Sequence, residues 1–173
     1  MSYKELKTYQ NATIIYDFTV EFCSRYVDCR SRTRDQMVQA ARSGKQNIVE
    51  GSQGSRTSKK NELKLLGVAR ASLQELLEDF EDFLRQRGFK LWAKDSGPAR
   101  AVRALAYKTD RTYATYMSYV GEKEKAANAM ICLINQTNFL LDRQINSLEE
   151  KFLARGGYTE NLFQKRLKAR KND

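Results

Sequence analysis

Residues 36–84 read QMVQAARSGKQNIVEGSQGSRTSKKNELKLLGVARASLQELLEDFEDFL, two runs at helical spacing separated by a glycine- and serine-rich loop. In the second run Leu63, Leu66, Arg70, Leu73, Leu77, Phe80 and Leu84 recur at alternating steps of three and four, the seam of a helix packed against another helix. A second stripe through Leu65, Ala69, Ser72, Leu76 and Phe83 widens the apolar arc, so this helix is expected to touch neighbours on two sides. One bundle is not expected to cover so wide an arc, which predicts self-association. In the first run Met37, Ala41, Gly44 and Ile48 keep the same spacing with mostly small side chains, so a partner helix can come close to the backbone. Gly44 within a helix costs about 1 kcal/mol relative to alanine, and close packing is the expected compensation. Gly51 takes the helix-stop position, and Ser58 or Thr57 is placed to cap the next start.

Working outward, Ile14, Ile15, Phe18, Val20 and Phe22 predict a first helix over about 11–26. Residues 25–35 read as a basic connector in which Thr33 or Asp35 can cap the second helix. Beyond the third helix, 90–97 is a connector holding Trp92, the only tryptophan, and Ser96 before Pro98 marks a new helix start. A tyrosine-rich helical insertion (Tyr107, Tyr113, Tyr116, Tyr119) is predicted within about 90–121. Then Ala127, Ile131, Ile134, Asn138, Leu141, Ile145, Leu148 and Phe152 form a second long seam, ended by Gly156-Gly157. From these elements the expected fold is all-α: an antiparallel up-and-down four-helix bundle over 1–157, with the insertion before the last long helix and a basic C-terminal arm over 158–173.

Asn47-Ile48-Val49-Glu50-Gly51, Ser58-Lys59-Lys60, Ala69, Ser72-Leu73 and Glu75-Leu76 resemble the NIAEG … RSKKE … IA-GSL-EL pattern of the bacterial four-helix-bundle proteins encoded in intervening sequences of large-subunit rRNA genes. The resemblance is dense over about 33–89, and MICLINQTNFLLDRQ in the C-terminal half resembles the "suffix" variant. The accessory protein of diversity-generating retroelements, a basic pentameric ring implicated in binding a reverse transcriptase and RNA, is a distant relative of that family. The resemblance therefore implies a homopentamer, with RNA and another protein as partner classes.

The chain has 31 Lys and Arg against 21 Asp and Glu, a net charge of +10, and a sequence pI near 9.6. Such a balance favours polyanions, and no basic amphipathic membrane anchor accompanies it. Three cysteines, Cys23, Cys29 and Cys132, without a secretory signal predict reduced thiols and a cytoplasmic protein. No apolar run approaches the roughly 18 residues of a membrane span, so no membrane partner is expected.

There is no histidine, and no nucleophile motif, metal cage or GxxxxGK[ST] phosphate loop, so the expectation is a non-enzymatic protein without cofactor. The carboxylates Glu75, Glu78 and Asp82 share a helical face, which reads as solvated or intersubunit surface rather than a cation site. Glu50, Arg70 and Asn138 are taken as polar members of core-facing seams that can meet in a register-fixing network or find separate partners.

Positive charge gathers in three places. The loop and helix start bring Arg56, Lys59 and Lys60 to free backbone N–H groups that suit a phosphate. Residues 83–111, with eight Lys/Arg against two Asp, include Arg103, Lys108 and Arg111 beside the tyrosines. The arm carries Lys165, Arg166, Lys168, Arg170 and Lys171. Cations interleaved with aromatic rings suit single-stranded RNA, although tyrosines at helical spacing also serve as packing. The resulting expectation is an oligomeric nucleic-acid-binding protein, with RNA favoured; a protein-interaction scaffold whose charge keeps it soluble is the alternative.

Overall fold

The computed structural model describes residues 2–54 and 58–171, without the side chains of Arg155, Tyr158, Thr159 and Lys171. Among the described residues there is no strand, and seven helices pack together: α1 (Lys7–Tyr26), α2 (Arg32–Gly54), α3 (Lys59–Gln86), α4 (Gly97–Ala104), α5 (Met117–Val120), α6 (Lys123–Arg155) and α7 (Tyr158–Lys171). Short 3-10 turns precede α1 and bracket the segment between α4 and α5. The four long helices contact one another in a cycle, α1 with α2, α2 with α3, α3 with α6 and α6 with α1, while α4 and α5 lie against α6.

Most of both stripes of α3 is covered within the chain. Leu66, Leu73, Leu77, Phe80 and Leu84 are buried, and so are Ala69, Leu76 and Phe83 of the second stripe. The wide arc meets α2 on one side and α6 on the other, and Leu63 and Leu65 at the start of the helix are half-buried. Phe22 of α1 closes this region with edge-on contacts to Phe80 and Phe83 at centroid distances of 4.9 and 4.8 Å.

The approach of α2 to α3 is close at Gly44, where an added Cβ would lie 2.8 Å from Leu73 Cγ and Cδ2. Gly51 is a second such point rather than a helix stop: it is buried, an added Cβ would meet the Glu62 carbonyl and Leu65 Cβ at 3.4 Å, and α2 continues to Gly54. Ser58 caps α3, accepting the Asn61 N–H at 3.2 Å, and Ser96 caps α4, accepting from Ala99 at 3.4 Å with Pro98 in the first turn. Thr57 lies outside the described residues. α2 starts earlier than its expected caps Thr33 and Asp35, because Ser31 Oγ accepts the Thr33 N–H at 3.3 Å.

No helix among the described residues is long and apolar enough to cross a membrane. The three thiols are free, and burial pushes the Cys23 pKa up to about 12.

Candidate nucleic-acid interface

The basic arm is a helix. α6 ends at Gly156, whose φ of +66° is open to glycine and strained for other residues, and the Glu160 carboxylate accepts the Gly157 N–H at 2.5 Å to start α7. From Glu160 to Arg170 every side chain of α7 is exposed. Lys165, Arg166, Lys168 and Arg170 form no ion pair among the described residues; Lys171 is in α7, with its side chain outside the description. Leu162, Phe163 and Leu167 are exposed on the same helix.

The start of α3 is less open to an anion than its residues suggest. Arg56 lies outside the described residues, and Lys60 is exposed. Lys59 is held by Glu62 at 3.0 Å, and Glu62 is buried. With Ser58 bonded to one N–H and Glu62 in the first turn, the helix supplies its own cap and its own negative charge.

In the insertion, Lys108 is exposed while Arg103 and Arg111 are half-buried. Two tyrosines taken as candidates for stacking are packing residues: Tyr116 is fully buried, and Tyr113 stands edge-on to Phe18 at 6.1 Å. Burial raises the pKa of both hydroxyls, opposed at Tyr116 by the nearby Arg111 guanidinium. Tyr107 is the ring left in water, 87% exposed.

Tyr107 stands at a cleft of about 300 Å³ between α1, the insertion and α6. Lys7 and Asn11 line it from α1, Arg111 from the insertion, and Gln136, Phe139 and Arg143 from α6. Phe139 is exposed, with the Arg143 guanidinium 5.9 Å from its ring centre. Of the cations named from the sequence, only Arg111 reaches this cleft; Lys7 and Arg143 join it because α1 and α6 are neighbours, which single-helix periodicity does not reveal.

Glu50, Arg70 and Asn138 do not form a network. Glu50 is exposed. Arg70 is half-buried and bonds Asp142 and Gln74, each at 3.0 Å. Asn138 is buried, and neither its Nδ2 nor its Oδ1 has a hydrogen-bond partner among the described residues. The satisfied buried amide is instead Asn128, which accepts the Trp92 N–H at 2.8 Å and donates to the Lys90 and Glu124 carbonyls at 2.9 and 3.0 Å. Its only sequence signal is a polar residue inside the apolar run 126–134.

On α3, Glu75, Glu78 and Asp82 are exposed, and Asp82 pairs with Arg85 at 2.8 Å. Desolvation, followed by Glu75, Asp82 and Glu78, pushes the Asp79 pKa up to about 6. Among the described residues no cluster of acidic or thiol groups is arranged to hold a metal ion. Comparison with known proteins yields no match to a family model, a curated protein or a solved structure.

Proposed function

We propose that this chain is a non-enzymatic helical protein that binds nucleic acid, RNA above all, through its basic surface. The observation that carries the reading is α7, where four cations stand in solvent with no acidic partner among the described residues. An unneutralised row of this kind attracts a phosphate backbone whatever its sequence. The resemblance to the rRNA intervening-sequence proteins points the same way. Within the proposal, the four long helices form the antiparallel up-and-down bundle, an arrangement consistent with their cyclic contacts. Self-association, as a ring of five by resemblance, is also part of it, supported by the exposed Leu162, Phe163 and Leu167. Those same residues favour the rival reading of a scaffold that binds another protein.

The test is fluorescence anisotropy with single-stranded RNA, duplex RNA and heparin across a salt series. Affinity for RNA should fall as a power of salt, with a slope near −0.7 per neutralised phosphate on single strands. Replacing Lys165, Arg166, Lys168 and Arg170 with glutamine should flatten that slope. If none of the three polyanions binds even at low salt, the scaffold reading takes its place.

A further inference from the structure

The cleft between α1, the insertion and α6 has a wet rim and an unsatisfied interior. At the rim Tyr107 is 87% and Phe139 is 61% exposed, two flat faces that the chain leaves in water. Lys7, Arg111 and Arg143 surround them, and none forms an ion pair among the described residues. Inside, Asn11 is 1% exposed, yet its buried Oδ1 receives no hydrogen bond among the described residues. Gln136 is half-buried: its Nε2 donates to the Arg103 carbonyl at 3.2 Å, which fixes the amide's direction, and its buried Oε1 has no partner among the described residues. Arg111 Nη1 is a third buried atom without a partner among the described residues, a donor that suits a phosphate oxygen. Buried polar groups normally have partners, so two orphan acceptors and one orphan donor lining one cleft mark the chemistry of what enters it.

We propose that this cleft takes one unstacked nucleotide of a single strand. The base lies on Tyr107 and Phe139, its N–H groups supply the donors that Asn11 and Gln136 lack, and its phosphate sits among Lys7, Arg111 and Arg143. A base with an exocyclic amino group fits two acceptors; uracil turns a carbonyl toward one of them. Cytosine is therefore preferred to uracil, and duplex RNA, whose bases are stacked and paired, is excluded from the cleft. At about 300 Å³ the space is at the lower end for small-molecule sites, matching one nucleotide rather than a stacked pair. This deepens the nucleic-acid reading and rests on it, since α7 supplies the general attraction and the cleft a local preference.

The experiment uses the full chain and its Tyr107→Ala/Phe139→Ala double variant. Both rings are exposed, so the variant retains the fold, as circular dichroism checks. Anisotropy is read with oligo-C, oligo-U and heparin, and saturation-transfer NMR with CMP, UMP and inorganic phosphate. The wild type should bind oligo-C about threefold or more tighter than oligo-U. The double variant should lose about tenfold of its oligo-C affinity while binding heparin unchanged. Oligo-C binding unchanged in the variant overturns the cleft and leaves the wider reading intact. Equal affinity for C and U overturns the amino-group readout. If no polyanion binds, the wider reading falls; ring-dependent CMP binding would then support the cleft as a free-nucleotide site, and its absence overturns it. Inorganic phosphate competing as well as CMP reduces the cleft to an anion site and overturns the proposal.

Discussion

Substituting Gly44 with alanine sets two effects against each other. In an exposed helix the change gains about 1 kcal/mol, because alanine loses less backbone entropy than glycine. Here the new Cβ would stand 2.8 Å from Leu73 Cγ and Cδ2, whereas apolar carbons rest at about 3.5–4.0 Å. Leu73 is fully buried, so it cannot swing into solvent, and the two helices must part by several tenths of an ångström. Overpacking of this kind costs about 1–3 kcal/mol, leaving a net loss of about 1 kcal/mol. The decisive comparison is the Leu73→Ala background, in which Cγ and Cδ2 are absent. That variant alone should lose about 2–5 kcal/mol. Adding Gly44→Ala to it should restore about 1 kcal/mol, since the next neighbour, the Ala69 carbonyl at 3.6 Å, is at ordinary contact distance. The effect thus changes sign between backgrounds, with a coupling energy of about 1–3 kcal/mol. Urea unfolding followed by far-UV circular dichroism measures all four proteins, with m-values held to agreement. Equal stabilisation by Gly44→Ala in both backgrounds would refute the close approach of α2 to α3.

Asp79 gives a pH prediction: with its pKa at about 6 in the folded protein, above the unfolded value, it binds its proton more tightly when folded. Its stabilising contribution is present at acid pH and lost as pH rises through about 6, so Asp79→Asn should raise the melting temperature at pH 7.5 and leave it unchanged near pH 4. Asn128→Ala leaves the Trp92 N–H and two carbonyls without their partner and should cost about 1–3 kcal/mol, with a red shift of emission from the single tryptophan before global unfolding. Asn138→Leu removes a buried amide with no partner among the described residues and should raise the unfolding free energy by an amount on the order of 1 kcal/mol, seen as a higher urea midpoint. Native mass spectrometry on the same variant asks whether that amide sets assembly; an unchanged midpoint together with an altered oligomer distribution would place its partner on another copy.

The long helices and several boundaries were legible because each is encoded locally. The three-four steps of α3 and the serines before α3 and α4 depend on residues within one or two turns, and the structure realises them. Glu50 was misplaced by the same arithmetic: it follows Ile48 by two positions, about 200° around the helix, so burial of Ile48 turns Glu50 to solvent. Gly51, three positions on, returns to the buried face, and the glycine that resembled a stop is a point of helix contact. Tyr113 and Tyr116 illustrate another limit, since a ring near cations has the same spacing whether it stacks on a ligand or on Phe18. The cleft was invisible for a plainer reason. Lys7, Tyr107 and Arg143 are far apart in sequence and become neighbours only when α1 and α6 pair.

Besides the side chains they bury, residues 90–121 are fastened to the long helices through their main chain. Asn128 takes the Trp92 N–H and the Lys90 carbonyl, Gln136 takes the Arg103 carbonyl, and the Tyr26 hydroxyl donates to the Val120 carbonyl at 2.6 Å. Any non-proline residue offers these groups at position 92, and any residue at all offers them at 90, 103 and 120. The clamps belong to α1 and α6, and what they grip is anonymous backbone. Sequence change at the clamped positions therefore leaves the grip intact, and the exposed side chains between them, such as those of 108–110, are free to drift, while the buried Val102, Tyr116 and Val120 stay tied to the core beneath.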